Sequence, residues 1–292
     1  MFTRDSKILR RELTVPITSI SRAIGDVFDS AFNKLVKSLF ANGEQGFVYD
    51  PNDLSTMFQN SAGTVPVTGA GQPVGLIKDK SGRNNHARQT TSASRPILRK
   101  NATTGAYYLE FDGSDDFLVT NSIDFTSTDK VSLFAGVRKL SDSIAFPLIV
   151  ETGTSAIVLG SFHLYANAST TQRGYAFAAT GATQVWRSMA GDYASPDSAV
   201  ITAFPNLSAA GGLAVKLRRN GVNQTLVGGD GNVTGGGNFD NLPLYIGRRA
   251  GTALPFNGHI YGLIGVGRLT SDYETVAIEK GLAKRLGVTL NV

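Results

Sequence analysis

Two hydrophobic periods divide the chain. Between residues 17 and 40, apolar side chains return at intervals of three and four, at Ile17, Ile20, Ile24, Val27 and Ala31. Phe28, Leu35, Val36, Leu39 and Phe40 widen the stripe. That spacing lines one face of a helix, and its three-four alternation is that of a heptad seam. Thr18 or Ser19 can cap the start, just after Pro16, and Asn42-Gly43 can close the end in a left-handed turn. From Phe47 onward the period becomes two. Tyr107 to Phe111, Val131 to Val137, Phe162 to Tyr165, Tyr175 to Ala178, Gln184 to Arg187 and Gly258 to Val266 read as short strands between turns bearing Gly, Asn and Asp. Val131 to Val137 is apolar at both parities, as a strand covered on two faces is.

Two local signals are sharper. Leu213, Val215 and Leu217 alternate with Ala214, Lys216 and Arg218, and Asn220-Gly221 then supplies the residues of a type I′ hairpin turn. Ser271 and Glu274 form a capping box, so a helix is predicted from there to Leu286, stopped by Gly287. The pattern predicts an all-β sandwich over residues 46–292 with a helix at each end. Residues 1–15 are polar and charged and have no obvious local role. The expectation is therefore that segment 1–45 anchors or oligomerises the chain through Ile17, Ile20, Ile24, Val27, Phe28, Leu35 and Leu39. The alternative is an amphipathic helix packed on its own β-domain.

Composition narrows the classes. The chain has 292 residues, long enough for one large β-domain, and its 33 glycines suit an architecture rich in tight turns. Zero cysteines exclude disulfides and thiolate metal sites. The net charge of +5 is scattered, with Arg10-Arg11, Arg218-Arg219 and Arg248-Arg249 the densest spots, so no nucleic-acid partner is expected. No apolar leader follows Met1, and no stretch is long and apolar enough to enter a bilayer. Synthesis in a cytoplasm, without membrane insertion, is the expectation.

Several runs carry a resemblance. Leu109-Glu110-Phe111-Asp112-Gly113 with Asp116-Phe117-Leu118, Leu244 to Arg248, and Phe256 to Gly262 resemble the laminin-G-like, concanavalin A-like jelly roll. The opening run from Tyr49 to Gln59, with Gln72 to Gly75 and Asp79 to Ala87, is similar to phage and prophage structural proteins of that fold. The resemblance covers about residues 46–290. It implies a virion protein, assembled in a host bacterial cytoplasm, often tail-associated, with other virion proteins as partners and a homo-oligomer, such as a trimer, as its state.

The residue pattern favours binding over catalysis. A retaining glycosidase needs two carboxylates about 5 Å apart, and no Glu-x-Asp-x-Glu strand occurs. Glu110-Phe111-Asp112 comes nearest but belongs to the turn motif. The histidines His86, His163 and His259 have no zinc spacing, and no nucleophile elbow appears. No cofactor is expected. Calcium is possible at Asp112, Asp115 and Asp116, although a turn explains them equally well. Sugar binding needs an aromatic ring edged by hydrogen-bonding groups. Trp186, the single tryptophan, is the preferred contact with Arg187 and Tyr193, against a core role for its ring. The reading that results is a non-enzymatic tail-tip, baseplate or fibre adhesin for host surface polysaccharide. A capsid decoration or head fibre without a ligand is the alternative, and a glycan-degrading enzyme ranks third.

Overall fold

A computed structural model describes residues 32–155, 158–209, 215–228 and 236–292. Its first element is a helix, α1 (32–38). The strands are β1 (Gly46–Tyr49), β2 (Met57–Phe58), β3 (Leu76–Ile77), β4 (Ala87–Arg88), β5 (Ile97–Lys100), β6 (Tyr107–Asp112), β7 (Leu118–Asp124), β8 (Ser132–Lys139) and β9 (Leu148–Thr152). They continue with β10 (Phe162–Tyr165), β11 (Ala176–Thr180), β12 (Gln184–Met189), β13 (Asp197–Pro205), β14 (Val215–Arg219), β15 (Val222–Asn223), β16 (Leu226–Val227), β17 (Asn241–Ile246) and β18 (Asn257–Val266). A second helix, α2 (Asp272–Leu286), follows.

The described strands form two antiparallel sheets of a jelly-roll sandwich. One has eight strands in the order β15-β14-β13-β8-β18-β6-β5, with β1 also on β18; the other has ten, in the order β16-β12-β11-β10-β9-β17-β7-β4-β3-β2. Side chains of one parity from each sheet meet between them, among them Phe47, Phe111, Phe162 and Phe177, joined by Phe239 and Phe256 from the connections before β17 and β18. The predicted hairpin is present: Asn220 (φ 48°) and Gly221 (φ 84°) turn β14 into β15. Both central residues have positive φ, as a type I′ turn requires.

The strand that is apolar at both parities explains the helices. In β8, Leu133, Ala135 and Val137 face the sandwich interior, whereas Phe134 points outward with Val200, Tyr261, Ile264 and Val266. These outward side chains are covered by Ile278, Leu282, Ala283 and Leu286 of α2 and by Phe32, Val36, Leu39 and Phe40. The approach is close. Gly136 and Gly262 are register partners across β8 and β18, and a Cβ on either would come within 2.8 Å of the Leu286 or Leu282 side chain. A third notch lies on α2 itself, where a Cβ on Gly281 would come 2.2 Å from the Phe32 ring. The capping box of Ser271 and Glu274 starts α2, and Gly287 ends it at φ 75°.

Charged groups lock the cover down. Glu279, fully buried, accepts from Arg218 Nε at 2.9 Å, Arg218 Nη2 at 3.0 Å and Thr202 Oγ1 at 2.8 Å. Arg285 pairs with Asp50 at 2.9 Å and lies 4.6 Å from the Phe32 ring centroid. Arg268 ties Glu44 at 3.1 Å to Glu274 at 2.7 Å, joining the chain beyond α1 to the start of α2.

This corrects the expected role of two anchoring residues. Leu39 is fully buried in the chain's own cover, and Leu35 packs against the same cluster. The Leu39 side chain is spent wholly inside the protein and that of Leu35 in part, because the outer face of β8 and β18 needs them. Ile17, Ile20, Ile24, Val27 and Phe28 lie outside the described residues, as do Leu213 and Ala214 of the predicted hairpin. Truncating a buried leucine leaves a cavity, so Leu39→Ala should lower unfolding free energy by about 2–5 kcal/mol in urea titration. A loss under about 0.5 kcal/mol, the range of an exposed position, would contradict this packing.

Candidate functional site

The outer face of the ten-stranded sheet has no helix over it among the described elements, and sheet register sets what it displays. Trp186 pairs with Ala178, Ala178 with His163, and His163 with Glu151. One step along, Ser188 pairs with Ala176, Ala176 with Tyr165, and Tyr165 with Leu148. Large side chains thus flank the small Ala176 and Ala178. Over them lies Phe146, with ring centroids 5.4 Å from Tyr165 and 6.0 Å from Trp186, both in edge-on geometry. Leu254 packs into the same cluster. Phe146 (φ 55°) and Leu254 (φ 52°) are bulky residues in the left-handed region. That conformation costs on the order of 1–3 kcal/mol, so the rest of the fold must hold both loops in place. Trp186 and Phe146 keep part of their surface in solvent.

Beneath this apolar patch is a buried polar array. Ser161, His163 and Glu151 are all fully buried. Glu151 can only accept when ionised, so His163 Nδ1 carries the proton and donates to Glu151 Oε2 at 3.0 Å. Nε2 is then left to accept from Ser161 Oγ at 2.9 Å. Burial holds the His163 pKa below its ordinary value, against the opposing pull of Glu151. Glu151 also accepts from Arg249 Nε at 2.9 Å and Ala250 N at 2.9 Å. Arg249 Nη2 donates to the Tyr165 hydroxyl, whose pKa burial pushes up to about 12. The hydroxyl–imidazole–carboxylate order matches that of a nucleophile relay. Here Ser161 has no accessible surface, so a substrate cannot reach it in this conformation. What the array does is fix Arg249, itself 16% exposed at the side chain, beside the aromatic patch.

The predicted sugar contacts do not converge. Trp186 is on the outer face as described. Arg187, its neighbour along β12, has the opposite parity, and its Nη1 donates to the Gly228 carbonyl. Tyr193 packs on the interior cluster, donates to Gln224 Oε1 at 2.6 Å and lies under the Arg219 guanidinium at 4.2 Å. Among the described residues, no hydrogen bond or ring contact joins Tyr193 to Trp186. Trp186 is met instead by the Phe146 ring and by Gly228, where a Cβ would come 2.6 Å from the indole, and it shares its cluster with Tyr165 and Leu254. Phe146 and Leu254 share one sequence feature, a proline directly after each, Pro147 and Pro255.

Three carboxylates are placed to take a hard cation. Oxygen atoms of Asp112, Asp115 and Asp116 lie within 4.8 Å of one another. Burial, then the charges of Asp112, Asp115 and Glu110, push Asp116 up to about 6, although the Asp112 N–H opposes this. The oxygens already serve the turn, accepting from Asp112 N at 3.0 Å, Ser114 N at 2.8 Å and Ser94 Oγ at 2.6 Å. Glu110 is paired instead with Arg99 at 3.0 Å.

No protein-family model matches the sequence, and no curated protein matches it. Solved structures do show likeness. Botulinum neurotoxin type C, from a study of its interaction with two ganglioside molecules, is 12% identical over 82% of this chain and 52% of that chain, with a TM-score of 0.48. The Trypanosoma rangeli sialidase is 12% identical over 85% of this chain and 34% of that chain, at 0.49. The CBM40 module of a Ruminococcus gnavus sialidase, bound to α2,3-sialyllactose, is 16% identical over 55% of this chain and 97% of that module, at 0.38. The chain spans about half of the neurotoxin structure and a third of the sialidase. The likeness is one of sandwich architecture, and no ligand follows from it.

His259 gives a test by pH. His259 stacks on Tyr108 at 4.2 Å, with Tyr261 at 6.5 Å and Glu110 at 3.8 Å. Burial holds it down to about 4; Glu110 opposes, while Arg138 and Arg99 reinforce. The folded value is below the unfolded value of about 6.5, so the unfolded chain binds the proton first. Stability is therefore full above about pH 6.5 and is lost as pH falls toward 4. His259→Phe keeps the stacked ring and removes the proton site. Urea unfolding from about pH 7 to about pH 4 should show it losing on the order of 3 kcal/mol less than the parent. Coincident pH profiles would show that His259 is not held neutral.

Proposed function

We propose that this chain is a non-catalytic carbohydrate-binding sandwich of a bacteriophage particle, one that reads host surface polysaccharide with the outer face of its ten-stranded sheet. The observation that carries the reading is the aromatic patch of Trp186, Phe146 and Leu254 beside an immobilised Arg249. Pyranose rings present C–H faces that pack on aromatic and aliphatic side chains, and their hydroxyls accept from a fixed guanidinium. Arg249 is fixed before any ligand arrives, because Glu151 and Tyr165 hold it. Pre-organisation of that kind lowers the ordering cost of binding.

The particle assignment rests on the resemblance of the runs at residues 49–59 and 72–87 to phage structural proteins. In this reading, residues 17–28 carry the attachment to other virion proteins or to further copies of the chain. Single contacts on a shallow face are weak, and several copies on one particle would raise them through avidity.

Screening the full-length chain against bacterial surface polysaccharides should return a ligand. Trp186→Ala should weaken its binding by about tenfold or more, with the melting temperature as the control for folding. Trp186→Phe, which keeps a ring, should retain part of the affinity. Binding by Trp186→Ala equal to the parent would remove this face from the site.

A further inference from the structure

The opposite sheet carries a groove of its own. It lies between the first turn of α2 and the outer face of the β13–β14–β15 edge, with a volume of about 290 Å³. Its apolar lining is Phe204 and Leu269, the latter 42% exposed. Phe204 and Lys216 are register partners across β13 and β14, so both project to this face side by side. The polar part of the lining also includes Asn206, Asn223, Asp272 and Arg218, with Thr270 and Thr275 bonded to each other at 2.7 Å.

Four of these polar groups keep hydrogen-bonding capacity to spare. Among the described residues, the Lys216 ammonium and the Asp272 carboxylate make no hydrogen bond or ion pair. Asn206 uses its carbonyl oxygen to accept from Ser208, at 2.8 Å from Oγ, and Asn223 uses its own to accept from Arg218 Nη1 at 3.4 Å. The amide nitrogens of both remain to donate. The groove therefore offers donors and an acceptor together, around an apolar floor.

Charge decides the ligand class. Arg218 would draw an anion, but Glu279 already neutralises it through two hydrogen bonds at 2.9 and 3.0 Å. Lys216 is matched by Asp272. With no net charge left over, a phosphate or carboxylate gains little here, and Asp272 repels it. Groups that both donate and accept on a ring with an apolar face fit best, and those are the hydroxyls of a sugar. The volume is at the lower end of small-ligand pockets, which suits one ring rather than a chain.

We infer that this groove is a second carbohydrate subsite, for a single neutral pyranose, on the sheet opposite to the Trp186 face. Phe204 and Leu269 would take the C–H face, and Lys216, Asp272, Asn206 and Asn223 the hydroxyls. The inference does not depend on the Trp186 face being a binding site.

The test uses the full-length chain and the methyl glycosides of glucose, galactose, mannose and N-acetylglucosamine, with methyl glucuronide as the charged comparison, followed by ligand-observed NMR titration. At least one neutral glycoside should bind saturably with Kd on the order of 1 mM, as befits so few heavy atoms. Asp272→Ala and Lys216→Ala, both exposed positions, should each weaken it by about tenfold or more, the loss expected for one hydrogen bond to a charged group. The component of binding that Asp272→Ala and Lys216→Ala weaken should persist in Trp186→Ala. Failure of all four neutral glycosides, preference for the glucuronide, or equal binding by both exposed variants would each overturn the inference. Loss on Trp186→Ala alone would place the bound sugar on the other face and overturn it too.

Discussion

The fold depends on burying the central strands of the eight-stranded sheet on both faces. β8 and β18 carry apolar side chains at both parities, and the sandwich interior can use only one of them. The other face, led by Phe134, Ile264 and Val266, would be a large exposed apolar surface if left bare. α2 and the segment around Leu39 are the cover. Gly136 and Gly262 let α2 settle against the strands, and Gly281 lets Phe32 settle against α2. The charged residues that cross this layer, Glu279 with Arg218 and Asp50 with Arg285, are buried in pairs, as burial requires.

That asymmetry assigns the two sides of the molecule different work. The helical cover occupies the centre of one outer face, over β8 and β18, and leaves the edge groove beside β14 and β15. The other outer face keeps an aromatic patch whose loops are held at positive φ, over a polar array that pins an arginine. Ordinary surface strands have no need of either feature. Both candidate contact regions are therefore consequences of where the cover is and where it stops.

The sequence made local features readable because local chemistry determines them. Asn220-Gly221 specifies its turn, Ser271 and Glu274 their cap, and Gly287 the helix end, without reference to anything distant. The doubled apolar parity of Val131 to Val137 announced a strand covered twice. It did not say by what, and the amphipathic stripe at Leu35 and Leu39 did not say against what it packs. A stripe specifies an apolar face but not its partner, so an external docking role and an internal one look alike. The site was harder still. Ser161, His163 and Glu151 meet only through the register of β9 and β10, and Arg249 reaches them from a loop almost a hundred residues away. Trp186 could be placed on a strand, but strand parity separates it from Arg187, and no pattern in the chain names Phe146 and Leu254 as its neighbours.

Gly281→Ala tests the internal cover most directly, because its two possible outcomes differ in sign. Within a helix that contacts nothing at this position, the change stabilises by about 1 kcal/mol. With the Phe32 ring 2.2 Å from the new Cβ, overpacking of about 1–3 kcal/mol outweighs that gain, and the protein should unfold at a lower urea concentration. A variant more stable than the parent would mean that Phe32 does not rest on α2, and that the segment from 32 to 40 is not the cover described here.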